Sequence, residues 1–162
     1  MIEIVAITPA HIDSFHRALD LVARERRYLA LLEAPPIEEF RRFVQDIVNR
    51  GYPQFVALSN GEVIGWCDVL PKAWPIYAHA GVLGVALLPP FRGQGLGHRL
   101  IERTLEAARL LGLSRIELTV RENNRNAIAL YEKFGFVTEG LKRNALKVDG
   151  RYENQVLMAL LF

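Results

Sequence analysis

An apolar run, HAGVLGVALL (79–88), stops at Pro89-Pro90. Three glycines then follow at alternate positions, Gly93, Gly95 and Gly97, and open an amphipathic stretch that runs to about Leu111. This order limits the fold more than any other feature. An apolar run that ends at a proline pair reads as a buried strand. Ile101, Leu105 and Ala108 then recur at helical spacing, and Gly112 ends the helix. RIELTV (115–120) is strand-like again, so the centre of the chain is a strand–loop–helix–strand unit. The loop is barer than a turn requires. Glycine lets main-chain N–H groups come close to a ligand, and a helix start presents unpartnered N–H groups at the positive end of its dipole. The backbone amides of 92–97 therefore suit a phosphorylated ligand.

The flanks are read in the same way. IEIVAI (2–7) is a first strand, and Thr8-Pro9 starts a helix with Ile12, Phe15, Leu19 and Val22 on one face. After Ala34-Pro35-Pro36 a second helix is expected to bury Phe40, Phe43, Val44, Ile47 and Val48, with Gly51 ending it. QFVALS (54–59) and EVIGWCDVL (62–70) are strands joined by Asn60-Gly61, a tight hairpin signal. A helix over 124–134 closes at Gly135. Two last strands, 136–148 and 151–162, flank Asp149-Gly150. Adjacent hairpins around one strand–helix–strand unit give an α/β fold with a mixed sheet and helices on both faces.

Composition excludes several classes. At 162 residues the chain is expected to be a single domain, 1–162. The net charge of +2 does not suit a dedicated nucleic-acid binder, and RERR (24–27) reads as a solvated helix face. The single cysteine, Cys67, allows neither an internal disulfide nor a cysteine metal cluster, and its apolar surroundings suggest a buried residue. No metal is expected. There is no signal-like N-terminus and no run long enough to span a membrane, so a cytoplasmic protein with no membrane partner is expected.

The glycine spacing fits neither a dinucleotide fingerprint, G-x-G-x-x-G, nor a P-loop, which needs G-K-[ST]. Arg92-Gly93-Gln94-Gly95-Leu96-Gly97 does resemble the (Q/R)-x-x-G-x-(G/A) motif of the GNAT superfamily of acetyl-CoA-dependent N-acetyltransferases. GVALLPPFRGQGLG is similar to that family's fourth strand and its loop. NNRNAIALYEKFGF resembles the N-x-x-A-x-x-L-Y-x-x-x-G-F signature that follows, and the element order is similar along essentially the whole chain.

The resemblance implies a single GNAT-type domain whose mostly antiparallel sheet has splayed central strands. It implies acetyl-CoA as co-substrate and direct transfer to an amine in a ternary complex. The coenzyme pyrophosphate would lie on the amides of Arg92, Gly93, Gln94, Gly95, Leu96 and Gly97. Val85 and Leu87 would offer backbone contacts to the pantetheine arm. Asn124 would contact the coenzyme, although it also reads as a plain N-cap. Tyr131 would lie near the thioester sulfur, where a phenol can donate to the leaving thiolate.

The base is less clear in the sequence. Residues 80–88 hold no carboxylate, and Thr119 stands where some relatives, ribosomal-protein alanine N-acetyltransferases among them, carry a strand-five glutamate. Glu117, on the same strand face as Thr119, and His79, with an ionisable imidazole, are candidates, as is a water wire held by backbone carbonyls.

The acceptor pocket is expected to use Tyr28, Trp74, Tyr77, His79 and Tyr152. With no acidic cluster it disfavours a polyamine. A free amino acid or similar small amine is the first expectation. A protein N-terminus is the alternative, and a non-catalytic acyl-CoA sensor is a further one. The resemblance is also compatible with a homodimer through the last strands.

Overall fold

The computed structural model describes all residues, 1–162. Its elements are β1 (Ile2–Ala6), α1 (Ile12–Arg24), α2 (Ile37–Arg50), β2 (Gln54–Ser59), β3 (Glu62–Pro71), β4 (Ala80–Leu87), α3 (Leu96–Leu110), β5 (Arg115–Arg121), α4 (Arg125–Lys133), β6 (Val137–Val148) and β7 (Arg151–Leu161). The expected order is therefore observed. The strands follow the sheet order β1-β2-β3-β4-β5-β7-β6. The sheet is mixed, with β4 and β5 parallel and the β1–β2, β2–β3, β5–β7 and β6–β7 pairs antiparallel. No helix is long and apolar enough to cross a membrane.

The chain forms two compact units. One comprises Met1–Leu70 with Gly84–Leu111, the other Pro71–Leu83 with Gly112–Phe162. In the first unit the hairpin residues Asn60 and Gly61 both take positive φ (51° and 78°), the conformation that a two-residue turn demands. β2 and β3 then pair with Val56 opposite Trp66 and Phe55 opposite Cys67. Alternation sends the two pairs to opposite faces. On one face Trp66 meets Phe15 of α1 (centroids 5.1 Å apart), which meets Phe40 of α2 edge-on at 5.0 Å. On the other face the Arg103 guanidinium of α3 covers the Phe55 ring at 5.2 Å, and the Thr104 hydroxyl donates to the Leu100 carbonyl at 2.8 Å. Cys67 is fully buried, as expected, and burial pushes its thiol well above the ordinary range.

Two helix expectations need correction. Phe43 and Val48 are exposed, and the buried stripe of α2 is Phe40, Val44 and Ile47. Phe43→Ala is accordingly expected to shift the urea unfolding free energy by less than about 1 kcal/mol. A core residue there would cost several times more. RERR is also not one helical face. α1 ends at Arg24, and Arg26 takes a left-handed φ of 59°.

In the second unit β5 pairs along its whole length with β7, from Arg115 opposite Leu161 to Arg121 opposite Gln155. Ile116, Leu118 and Met158 are buried in it. Asp149 and Gly150 (φ 52° and 76°) make the β6–β7 turn, and Gly135 (φ 96°) ends the α4 segment.

Candidate active site

The glycine loop lies in the first unit. Leu88 N–H donates to the Ile64 carbonyl at 2.8 Å, which holds the end of β4 against β3. A tight turn over Pro89–Phe91 follows. Arg92 then fixes the loop. Its Nε donates to the Leu87 carbonyl (2.9 Å), and its two terminal nitrogens donate to both carboxylate oxygens of Glu25 (2.9 and 2.8 Å). Its guanidinium lies 4.6 Å from the centroid of the Tyr28 ring. Such a fork-to-fork pair is directional as well as strong. The side chain of Arg92 is thus a buckle between the loop and the end of α1, and Tyr28, expected in the acceptor pocket, packs on it. Gln94 braces the loop through a 2.9 Å bond from Nε2 to the Pro90 carbonyl.

Gly93 and Gly95 both take left-handed φ, 74° and 79°, and a Cβ at either would meet no atom within 4 Å. The Arg92 N–H, expected on the pyrophosphate, instead donates to the Pro89 carbonyl at 3.3 Å, whereas those of Gly93, Gln94 and Gly95 donate to no backbone carbonyl. Gly95 is the N-cap of α3, and the amides of Leu96 and Gly97, in its first turn, have no intrahelical acceptor. The result is an open cradle of amides at the positive end of a 15-residue helix. A diphosphate suits such a cradle chemically.

β4 pairs with β5 through Ala80, Val82 and the residue between, opposite Arg115 to Glu117. Val85 and Leu87 are half-buried. The Leu87 side chain lies where a Cβ on Gly65 would be, and its carbonyl accepts from Arg92 Nε.

The second unit carries the other expected residues. Asn124 is the N-cap of α4 and accepts from Ala127 N–H at 3.3 Å through Oδ1, so the capping role holds and Nδ2 stays a donor. Tyr131 is buried on α4, with its ring 5.8 Å from that of Phe136. His79 is exposed just before β4, and its carbonyl accepts from Ser114 and Arg115 N–H. Trp74, Tyr77 and Tyr152 are exposed.

Glu117 sits between two cations, Lys72 at 2.8 Å and Arg115 at 2.9 Å. Burial pushes its carboxyl up, but the hydrogen bonds from Lys72 and Arg115 outweigh that and hold it below the ordinary range. A carboxylate so held is a weaker base than a free one.

One ionisable group escaped the reading of the sequence. Asp68 is the single charged residue inside the apolar run VIGWCDVL of β3, and that isolation was the available signal. It pairs with Gln54 of β2, whose Nε2 donates to Oδ2 at 3.0 Å. Burial pushes the Asp68 carboxyl up to about 6, against the pull of the Gln54 bond. The Cys67 thiol next to it feels the Asp68 charge, and Gly84 of β4 brings no side chain.

A raised carboxyl binds its proton more tightly folded than unfolded. Stability should therefore fall as pH rises from about 4 to about 6, by about 2–3 kcal/mol. The slope should be missing from the Asp68→Asn variant when urea midpoints of the two proteins are compared from pH 4 to 7.

Comparison with known proteins agrees with these features. The profile of the acetyltransferase (GNAT) family matches residues 16–136. The chain is 35% identical over 114 residues to a ribosomal-protein-alanine N-acetyltransferase of Escherichia coli, covering 69% of this chain and 74% of that one. It is 30% identical over 110 residues to an L-amino acid N-acetyltransferase of Escherichia coli, covering 67% and 68%. Among solved structures, an acetyltransferase of the GNAT family from Streptococcus pneumoniae superposes over 100% of both chains with a TM-score of 0.93 and 25% identity. An acetyltransferase structure from Salmonella typhimurium with its cofactor acetyl-CoA has the same fold, with a TM-score of 0.93 at 18% identity over 99% and 94% of the two chains. The motif that opens α3, the signature that spans α4 and the order of the strands thus have one source: the chain belongs to the GNAT family, as an acetyl-CoA-dependent N-acetyltransferase.

Proposed function

We propose that residues 1–162 act as one cytoplasmic catalytic domain that acetylates the α-amine of a free amino acid or a similar small primary amine. Transfer is direct, in a ternary complex. The observation that carries the coenzyme half is the run of amides at Gly93, Gln94 and Gly95 that donate to no backbone carbonyl, continued by Leu96 and Gly97 in the first turn of α3. These amides hold the diphosphate of acetyl-CoA, the Val85 backbone and the Leu87 N–H line its pantetheine arm, and Asn124 Nδ2 donates to it. Bound acetyl-CoA supplies an acetyl group activated as a thioester. Tyr131 donates a proton to the departing sulfur.

The acceptor is argued from chemistry and from kinship. The expected lining, Tyr28, Trp74, Tyr77, His79 and Tyr152, carries no carboxylate, which a polyamine would want. An L-amino acid N-acetyltransferase is among the relatives. A protein N-terminus is the second reading, favoured by the ribosomal-protein-alanine N-acetyltransferase relative. Against it stands exposed Thr119, at the place of the strand-five glutamate.

The test is release of coenzyme A thiol from acetyl-CoA in the presence of free amino acids, polyamines and short peptides with an N-terminal alanine. Turnover with free amino acids alone supports the first reading, and turnover with the peptides alone replaces it by the second. Silence with all three overturns both.

A further inference from the structure

An alkylammonium must lose a proton before its nitrogen can attack a thioester. β4 holds no carboxylate, Thr119, exposed on β5, has none to offer, and Glu117 is bound to Lys72 and Arg115. A carboxylate nevertheless stands beside β4, supplied by the neighbouring strand. Asp68 Oδ1 lies 3.5 Å from the point where a side chain on Gly84 would begin. Gly84 is exposed. Gln54, itself buried, holds the other oxygen, so the carboxyl is turned with Oδ1 toward the glycine. Gln54 Oε1 is buried without a hydrogen-bond partner, which places a second acceptor next to the carboxylate. A cationic nitrogen that reached Gly84 would meet a fixed carboxylate oxygen and no intervening side chain.

We propose that Asp68 is the general base of the reaction and receives the acceptor amine's proton at Oδ1, with Gln54 as its positioning residue. The assignment rests on the acetyl-transfer reading above. The ammonium gives one proton to Asp68. The freed lone pair forms the N–C bond to the thioester carbonyl carbon, and the nitrogen loses its second proton to solvent as the amide forms. The C–S bond breaks, the sulfur leaves with the bonding pair, and it takes a proton from Tyr131, which solvent restores. Asp68 returns its proton to solvent beside exposed Gly84. The net change is ammonium plus thioester to amide, thiol and one proton. The carboxyl, raised by burial, is a stronger base than an ordinary aspartate and is still mostly ionised at neutral pH.

The experiment compares the protein with its Asp68→Asn variant, using the amine that the protein is first shown to acetylate. The expected result is a fall in kcat of about 100-fold or more, with acetyl-CoA affinity by calorimetry within about twofold. The acid limb of kcat/KM should be lost from the variant. In the ligand-free protein, carbon-13 NMR should show the Asp68 carboxyl titrating near pH 6. If the variant does not fold, Gly84→Val, which covers Oδ1 and leaves Asp68 in place, should lower kcat in the same way.

A variant within about threefold of the parent rate, an unchanged acid limb, or a carboxyl titrating near the ordinary value of about 4 would overturn the assignment and leave the acetyl-transfer reading standing. A parent protein that binds acetyl-CoA and acetylates none of the amines would overturn that reading, and Asp68 as base with it.

Discussion

Tyr131→Phe is expected to lower kcat about 100-fold while leaving acetyl-CoA affinity within about twofold. The substitution is a clean one because the ring is kept. Tyr131 is buried on α4 and packs at 58° to the Phe136 ring, 5.8 Å away, and phenylalanine can make the same contact. Only the hydroxyl is removed. If that hydroxyl protonates the departing thiolate, its loss raises the barrier by about 2.7 kcal/mol, the equivalent of a 100-fold slower step. If it only satisfies a local hydrogen bond, the change appears in stability, at about 1 kcal/mol, and not in turnover. Thiol release, calorimetry and urea unfolding on the same preparation separate the two. Unchanged kcat with a lowered urea midpoint would remove Tyr131 from the chemistry.

The glycine loop makes the second large prediction. Gly95→Val should weaken acetyl-CoA binding by more than about 10-fold. A β-branched residue is a severe outlier at φ 79°, and a left-handed L-residue costs about 1–2 kcal/mol. The loop must therefore rotate away, and its amides cease to converge. Gly51, which ends α2 at φ 66°, is the comparator. A Cβ at Gly51 is as unobstructed as one at Gly95, so Gly51→Val brings similar strain at a place remote in sequence from the cradle. It should lower stability and leave the calorimetric dissociation constant alone. Equal losses of affinity in both variants would mean that Gly95 matters only for folding.

What the sequence disclosed and what it hid divide along the range of the interactions. Asn60-Gly61 and Asp149-Gly150 announced their turns because a two-residue hairpin imposes its φ values on those residues alone. The open backbone at Gly93 and Gly95 was equally local. The role of the Arg92 side chain was not. The motif assigned Arg92 to the coenzyme loop, but its guanidinium is committed to Glu25, 67 residues earlier in the chain. The same partner sits where RERR leaves the helix. Phe43 and Val48 followed the helical period correctly and are exposed, because periodicity gives the phase of an apolar stripe and not the width of the surface that receives it.

Asp68 is the residue least legible in the sequence. Its sequence neighbours mark only an odd charge in a strand. What gives it interest is Gln54 across one strand pair and Gly84 beside it on β4, and neither is close in sequence.

A carboxylate lodged in that position has a bearing on how this protein would drift in the laboratory. At neutral pH it is a standing liability to the fold, because the buried charge is unfavourable and an amide of the same shape would remove it. A library sorted only for heat tolerance or soluble yield should therefore discard Asp68 early, and do so with Asn among the replacements. The same library sorted for growth that depends on the acetylated product should hold the position fixed. Opposite outcomes of the two selections at one site would distinguish a residue kept for chemistry from one kept for architecture, without the acceptor amine being known beforehand.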